Sequence, residues 1–177
     1  MNILVIPTND WTRAPGAGHI NEIAEELAHI GHNVYAWNFN LYRREPIKRI
    51  PRKVKLISSR TLPLHDPAIF FTLNALFQAP AVFRAIRKLK IDVVINENVL
   101  CGLVAFLMSD KRTLKVFDFS DYFPESASVY YTGSLRVIKK LVEGVTLAIT
   151  KLNVKFSDIC LAVGIRRCTW RAAAVVI

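Results

Sequence analysis

Short apolar runs alternate along this chain with longer segments in which apolar residues recur every three or four positions. The first run, Asn2–Ile6, is rich in β-branched residues and is closed by Pro7, as is typical of a buried parallel strand. From His19 to Ile30 the apolar spacing is helical, glutamates lie near the front and Gly31 follows the end. This segment is therefore predicted to be an amphipathic helix.

The same two patterns continue through the chain. They predict further strands at Val34–Trp37, Val54–Ile57, Asp92–Ile95, Val116–Phe119 and Ile159–Val163. They predict further helices at Ala68–Gln78, Ala81–Leu89, Leu100–Met108 and Leu135–Val154, with Pro80 as a break between the first two. Strands that alternate with helices in this way predict an α/β fold: a single open parallel sheet with helices on both faces. There is no internal repeat and no linker, which indicates one domain.

Ligands of such sheets bind beyond the carboxyl ends of the strands. The loops at those ends are residues 7–18, 38–42, 96–99 and 120–128. The first loop carries Gly16 and Gly18 before His19, and glycine lets a ligand approach the free amides of a helix N-terminus. The two glycines are explained equally well as turn residues. NAD binding is disfavoured, because Asn21 occupies the third glycine position of the dinucleotide fingerprint and no acid follows the second strand.

Composition narrows the class of protein. A chain of 177 residues, 52% hydrophobic and 21% charged, is long enough for a buried core and is not a disordered chain. Lys and Arg number 24 against 14 Asp and Glu, and the formal net charge of +10 indicates an anionic partner. Three cysteines without CxxC spacing predict a reducing, cytoplasmic location. The longest clean apolar run, Val99–Met108, is about half of a membrane helix of ~20 residues, so no span is expected.

The stretch from His19 to Val34 resembles the first helix and second strand of family 4 glycosyltransferases. Three further segments resemble the family in the same order: Asp92–Ile95, Phe117–Ser126 and Ser157–Val163. Those enzymes have the B-type fold of two Rossmann-like halves, in which the N-terminal half mostly binds the acceptor and the C-terminal half binds the sugar nucleotide. The resemblance implies that residues 1–163 are a Rossmann-like acceptor domain for a glycan or a lipid-linked acceptor.

The chain departs from the family pattern in three places. Ala14 and Pro15 stand where the family often has a glycine pair, and Ser120 stands where many members have a histidine. After Val163 the resemblance ends, and residues 164–177 form a divergent, arginine-containing tail. The donor half is missing from the sequence, so we expect the chain to be inactive by itself. A separate donor-domain chain and a homodimer are both open as partners.

The acids after the fifth strand are the first group of candidate site residues. Asp118, Asp121 and Glu125 lie where the fold places active-site loops, and a carboxylate there orients an acceptor hydroxyl or takes its proton. We assign the catalytic role to Asp121, and substrate binding to Asp118 and Glu125. Asp121 and Glu125 are also placed to cap a following helix, and that alternative stays open.

The second group follows the fourth strand and begins the first helix. Asn96, Glu97 and Asn98 are interpreted as substrate-binding residues, with a loop and its N-cap as the alternative. His19 joins Gly16 and Gly18 as a substrate contact, as the resemblance implies, or is hydrogen-bonded to its own loop. No histidine pair has metal-ligand spacing, so we expect neither a metal nor a cofactor.

Positive charge is concentrated in two regions. Residues 41–60 hold eight basic side chains against the single acid Glu45, and four more lie between Arg84 and Lys90. Phe70, Phe77 and other apolar residues lie nearby, and such a surface would bind an anionic membrane at its cytoplasmic face. The alternative is a solvated basic face with those aromatics in the core. A non-enzymatic module for nucleic acid or a protein partner is the second function class, although no recognition motif favours nucleic acid.

Overall fold

The computed structural model describes residues 1–13, 18–41, 44–64, 66–97, 99–119, 128, 129, 131 and 136–162. Its strands are β1 (Asn2–Ile6), β2 (Asn33–Asn38), β3 (Lys55–Ser58), β4 (Val93–Asn96), β5 (Leu114–Phe119) and β6 (Ile159–Ala162). Its helices are α1 (His19–His29), α2 (Pro67–Leu89), α3 (Leu100–Met108) and α4 (Arg136–Phe156). All six strands form one parallel sheet in the order β3-β2-β1-β4-β5-β6. This is the Rossmann order, and it confirms the predicted α/β fold.

The core lies on both faces of the sheet because side chains alternate across each strand. Leu4, Ile6 and Phe117 pack on one face with α2 and α3. Ile3, Val5 and Val116 pack on the other face with α1. The central strands β1 and β4 are therefore buried on both sides, which explains why their sequences are nearly continuous apolar runs.

The predicted break at Pro80 is wrong, because α2 continues from Pro67 to Leu89 with Pro80 inside it. Pro80 is exposed, so the hydrogen bond it cannot donate belongs to the solvent side of the helix, where water replaces it. The start of α2 is fixed by Asp66, whose Oδ1 accepts a hydrogen bond from Ile69 N at 2.9 Å. Residue 163, the predicted end of the last strand, and the tail at 164–177 lie outside the described residues.

Candidate functional site

The sheet order reverses between β1 and β4, since β1 is flanked by β2 on one side and by β4 on the other. An open α/β sheet binds its ligands in the crevice at the carboxyl ends of the strands next to this reversal. Ile6 and Asn96 are register partners at that end, and Glu97 N donates to the Ile6 carbonyl at 3.0 Å. Glu97, the first residue after β4, therefore lies at the carboxyl end of the sheet, next to this reversal.

Strand alternation aims Asp118 at the first helix. Val116 packs on the α1 face and Phe117 on the opposite face, so Asp118 returns to the α1 face. His19 is the first residue of α1, and its Nε2 lies 2.6 Å from Asp118 Oδ2. The side chain of His19 is 37% exposed and that of Asp118 only 2% exposed. The partly exposed imidazole of His19 therefore contacts both solvent and the buried carboxylate of Asp118.

Glu97 completes a group that we call the His–Glu–Asp cluster. The Nε2 of His19 and one carboxylate oxygen each from Glu97 and Asp118 all lie within 4.8 Å of one another. Glu97 is 7% exposed, and its Oε2 accepts hydrogen bonds from Thr8 N at 2.7 Å and Thr8 Oγ1 at 2.8 Å. Because Thr8 lies two residues after the end of β1, these hydrogen bonds connect the carboxyl ends of β1 and β4.

Burial raises the pKa of both carboxyl groups in the cluster. For Glu97, removal from water is the largest cause, the hydrogen bonds from Thr8 partly offset it, and the charge of Asp118 adds to it. For Asp118, burial raises the pKa and His19 lowers it in part. Two buried acids beside one imidazole cost stability when they are ionised, which is typical of a functional site.

Asn96 is used inside the fold rather than in the cluster. Its side-chain amide donates to Asn153 Oδ1 at 2.8 Å, and its Oδ1 accepts from Val99 N at 3.3 Å. A Cβ placed on Gly102 would lie 1.8 Å from that Oδ1, so α3 can approach this side chain only with a glycine there. Asn96 thus ties the β4–α3 turn to α4.

The remaining predicted site residues are distributed as follows. Gly18 is the N-cap of α1 and supplies no side-chain cap, and a Cβ there would meet Asn9 Nδ2 at 3.1 Å. Gly16, Asn98, Asp121 and Glu125 lie outside the described residues, as does most of the 120–128 loop. Of the predicted site residues, His19, Glu97 and Asp118 meet in one cluster, and Gly18 is the N-cap of the helix that begins with His19.

Unpaired polar atoms are concentrated beside the crevice. Seven buried side-chain polar atoms of the described residues have no hydrogen-bond partner, and five of them belong to Asn9, Trp11, Arg13 and Asn21. Folded proteins contain few such atoms, and each costs about 1–3 kcal/mol. They lie along the loop after β1 and in the first turn of α1, at the carboxyl end of the sheet.

The sequence indicated each member of the cluster separately but not that the three meet. His19 and Asp118 are 99 residues apart, and a search for metal-ligand spacing within short segments does not pair them. The alternative in which His19 is hydrogen-bonded to its own loop is wrong for Nε2, which pairs with Asp118. The alternation of Val116, Phe117 and Asp118 between the two faces is the sequence signal that would have aimed Asp118 toward α1.

Comparisons with known proteins assign no family to this chain. No protein-family model matches the chain, and no curated protein matches it in sequence. Among solved structures it is similar to the Bordetella bronchiseptica enzyme WbmH in complex with NAD+, with a TM-score of 0.46 and 10% sequence identity. The similarity covers 91% of this chain and 54% of WbmH, so the chain spans about half the length of that enzyme. The Rossmann-like assignment stands on the sheet order described above.

Proposed function

We propose that this chain is the acceptor-binding domain of a glycosyltransferase, and that it positions a hydroxyl of a glycan or lipid-linked acceptor for transfer from a nucleotide sugar. The observation that carries the proposal is the contact of 2.6 Å between His19 Nε2 and Asp118 Oδ2, next to Glu97 at the reversal of the sheet. A sugar hydroxyl both donates and accepts hydrogen bonds, and a carboxylate beside an imidazole offers it both kinds of partner. The sequence resemblance supplies the reaction class.

The proposed chemistry assigns each side chain a limited role. The acceptor hydroxyl donates its hydrogen bond to the carboxylate of Asp118 or Glu97, which orients its oxygen lone pair toward the donor sugar. The oxygen forms a bond to the anomeric carbon while the bond to the nucleotide diphosphate breaks, and the hydroxyl proton passes to the carboxylate that accepted its hydrogen bond.

The end of β2 supports an acceptor in preference to NAD. In dinucleotide-binding domains an acid at this end holds the adenine ribose. Here the residue is Asn38, whose side chain accepts from Trp11 N at 3.0 Å and donates to Asn40 Oδ1 at 3.0 Å. An amide that is already bonded within its own loops is a poor ribose ligand.

The test is a chemical-shift titration of the ¹⁵N-labelled chain with a panel of methyl glycosides and oligosaccharides, and with NAD+ in parallel. We expect millimolar saccharide to shift signals of residues 8, 19, 97 and 118, and Asp118→Asn to weaken the effect at least fivefold. Asp158→Asn, at the opposite edge of the sheet, is the matched control and should leave it unchanged. Binding of NAD+ in the crevice without any response to saccharides would overturn the proposal.

We also propose that one face of the molecule rests on an anionic membrane. α3 packs against both α2 and α4, so these two helices flank it on the same face of the sheet. Phe70, Phe71 and Val82 of α2 belong to the core, whereas Leu76 and Phe77 are 67% and 65% exposed. The apolar surface predicted from the sequence is thus divided between core and solvent.

The second helix extends this surface. On α4, Val137 and Leu141 are 80% and 66% exposed, and Val145 continues the same stripe one turn later. α2 contains no acidic residue, and Arg84, Arg87 and Lys88 are exposed at its end. An apolar surface with a basic edge is complementary to anionic lipid.

The segment Ile69–Leu89 of α2 is long and apolar enough to cross a membrane by length and composition alone, and the expectation that no segment spans a membrane stays a prediction. The inward side of the helix packs in the core, which favours a position on the surface of the membrane over a span. A co-sedimentation assay with anionic and neutral vesicles tests this. We expect binding to anionic vesicles that weakens with salt.

The matched variants for that assay lie on opposite faces of the sheet. Leu76→Ser combined with Phe77→Ser should reduce vesicle binding at least fivefold, while Ile30→Ser, exposed at the end of α1, should leave it unchanged. Equal binding of both variants, or equal binding to neutral vesicles, would overturn the membrane proposal. Retention of the protein by nucleic acid in the same salt range, with no vesicle binding, would instead favour the basic binding module.

A further inference from the structure

We propose that the His–Glu–Asp cluster binds a single divalent transition-metal ion, with His19 Nε2 and one carboxylate oxygen each of Glu97 and Asp118 as ligands. The proposal goes beyond acceptor binding and does not depend on it. One imidazole nitrogen with two carboxylate oxygens is a donor set used for Zn²⁺, Mn²⁺ and Fe²⁺, whereas Mg²⁺ and Ca²⁺ favour oxygen alone. The chain supplies these donors from α1, from the residue after β4 and from β5.

The distances allow one ion to contact all three groups. In tetrahedral geometry, zinc–oxygen and zinc–nitrogen bonds of ~2.0–2.2 Å place two ligand atoms roughly 3.3–3.6 Å apart. The three ligand atoms already lie within 4.8 Å of one another, so the longest separation needs to shorten by at most about 1.5 Å. A rotation of the Glu97 or His19 side chain supplies a change of this size.

The surroundings of the cluster hold the ligands in place. Thr8 N and Oγ1 both bond to Glu97 Oε2, and such outer contacts orient a ligating carboxylate. Asp118 is held by its strand, with a side chain that is almost completely buried. His19 is partly exposed, which gives a metal ion and water a path to the cluster.

Electrostatics also favour a cation at this place. Glu97 and Asp118 bring two carboxylates together in a region removed from water, where the residues are 7% and 1% exposed. A bound divalent ion compensates two such charges more completely than one imidazole does.

The hydrogen bond from His19 and the metal bond exclude each other. Metal binding uses the lone pair of Nε2, so the neutral imidazole must carry its proton on Nδ1. The contact of 2.6 Å between Nε2 and Asp118 Oδ2 is the metal-free arrangement, in which a hydrogen fills the place of the ion. In the bound state both atoms would turn their lone pairs toward the ion instead of sharing that hydrogen.

Calorimetric titration of the tag-free chain, first dialysed against EDTA, with Zn²⁺ and separately with Mn²⁺ tests the proposal. We expect one ion per chain, tighter binding of Zn²⁺ than of Mn²⁺, and no comparable binding of Mg²⁺. Because Mn²⁺ prefers carboxylate oxygen to thiolate, its binding separates the cluster from the cysteines. Mn²⁺ should also broaden the amide signals of residues 19, 97 and 118 before others.

The variants are chosen to keep the shape of the site. His19→Gln and Glu97→Gln should each weaken metal binding at least tenfold. Thr8→Val removes one of the two hydrogen bonds that Thr8 donates to Glu97 and should weaken metal binding by a smaller factor. His29→Gln changes an exposed histidine at the other end of α1 and should bind as the parent does. Absence of stoichiometric binding of both ions, or unchanged binding in a folded His19→Gln variant, would overturn the proposal. Since the test uses metal alone, saccharide binding without metal binding would refute this inference and leave the proposed function standing.

Discussion

Acids lie in different environments at the two ends of the parallel strands. We call the end where the strands begin the amino edge of the sheet and the end where they finish the carboxyl edge. At the amino edge, Asp92 Oδ2 accepts from Asn2 N at 2.7 Å and Asp158 Oδ2 accepts from Lys115 N at 2.9 Å. Both of these acids are exposed. At the carboxyl edge, Glu97 and Asp118 are buried next to each other and next to His19. At the amino edge, hydrated carboxylates accept hydrogen bonds from backbone amides near the strand starts. At the carboxyl edge, two carboxylates are instead buried away from water.

This difference separates acids that stabilise the fold from the acids of the candidate site. A carboxylate that bonds a backbone amide while it remains hydrated contributes to stability at little cost. A buried carboxylate beside a second one costs stability, and such costs persist where a ligand needs the arrangement. The unpaired polar atoms of Asn9 and Trp11 lie in the loop that leaves β1 at this same edge, and those of Asn21 lie in the first turn of α1.

The largest expected effect concerns the hydrogen bond between Asn96 and Asn153, at the carboxyl end of β4. Gly102→Ala places a methyl group 1.8 Å from Asn96 Oδ1, where Asn96 bonds to Asn153. We expect a loss of about 3 kcal/mol of unfolding free energy, measured by urea denaturation. Gly144→Ala on α4, with no atom within 4 Å of the added carbon, is the matched control and should gain roughly 0.5–1 kcal/mol. A Gly102→Ala protein as stable as the parent would show that Asn96 is not held as described.

A smaller effect of opposite sign is expected at the carboxyl edge. Glu97→Gln removes a buried negative charge and keeps an oxygen that accepts the hydrogen bonds of Thr8. In EDTA at neutral pH the unfolding free energy should rise by about 1 kcal/mol. Destabilisation by a similar amount would mean that the charge of Glu97 supports the fold, contrary to the comparison of the two edges.

The pH dependence of that difference sharpens the comparison. Burial holds the pKa of folded Glu97 above its ordinary value of 4.5, so the folded state binds the proton more strongly than the unfolded state. This contribution to stability is complete below the ordinary value and is lost as pH rises through the folded pKa. The advantage of Glu97→Gln should therefore be small near pH 4 and grow toward about pH 7. A constant difference across that range would remove ionisation as its cause.

The smallest effect is expected at the amino edge. Asp158→Asn keeps an oxygen that accepts from Lys115 N but removes the charge that strengthens the bond. Urea denaturation should show a loss of about 0.5 kcal/mol. A gain in stability would place Asp158 with the acids of the carboxyl edge.

Local sequence predicted the elements well because strand and helix periods are local properties. Asn2–Ile6 and Leu100–Met108 have the predicted bounds. The continuation of α2 through Pro80 was not predicted, since it depends on which side of the helix faces water. The meeting of His19 with Asp118 depends on strand order, and the role of Asn96 depends on Gly102 and Asn153, so neither is a property of any short segment.

The central claim is that burial of the acids at the carboxyl edge lowers the stability of the fold. A comparison of Asp118→Asn with Asp92→Asn tests this claim most directly. Both substitutions replace a carboxylate by its amide, and unfolding free energies are measured by urea denaturation in EDTA at neutral pH. Asp118→Asn is predicted to raise the unfolding free energy, because burial raises the pKa of Asp118, and Asp92→Asn to lower it. A loss of stability of the same size in both variants would contradict the account.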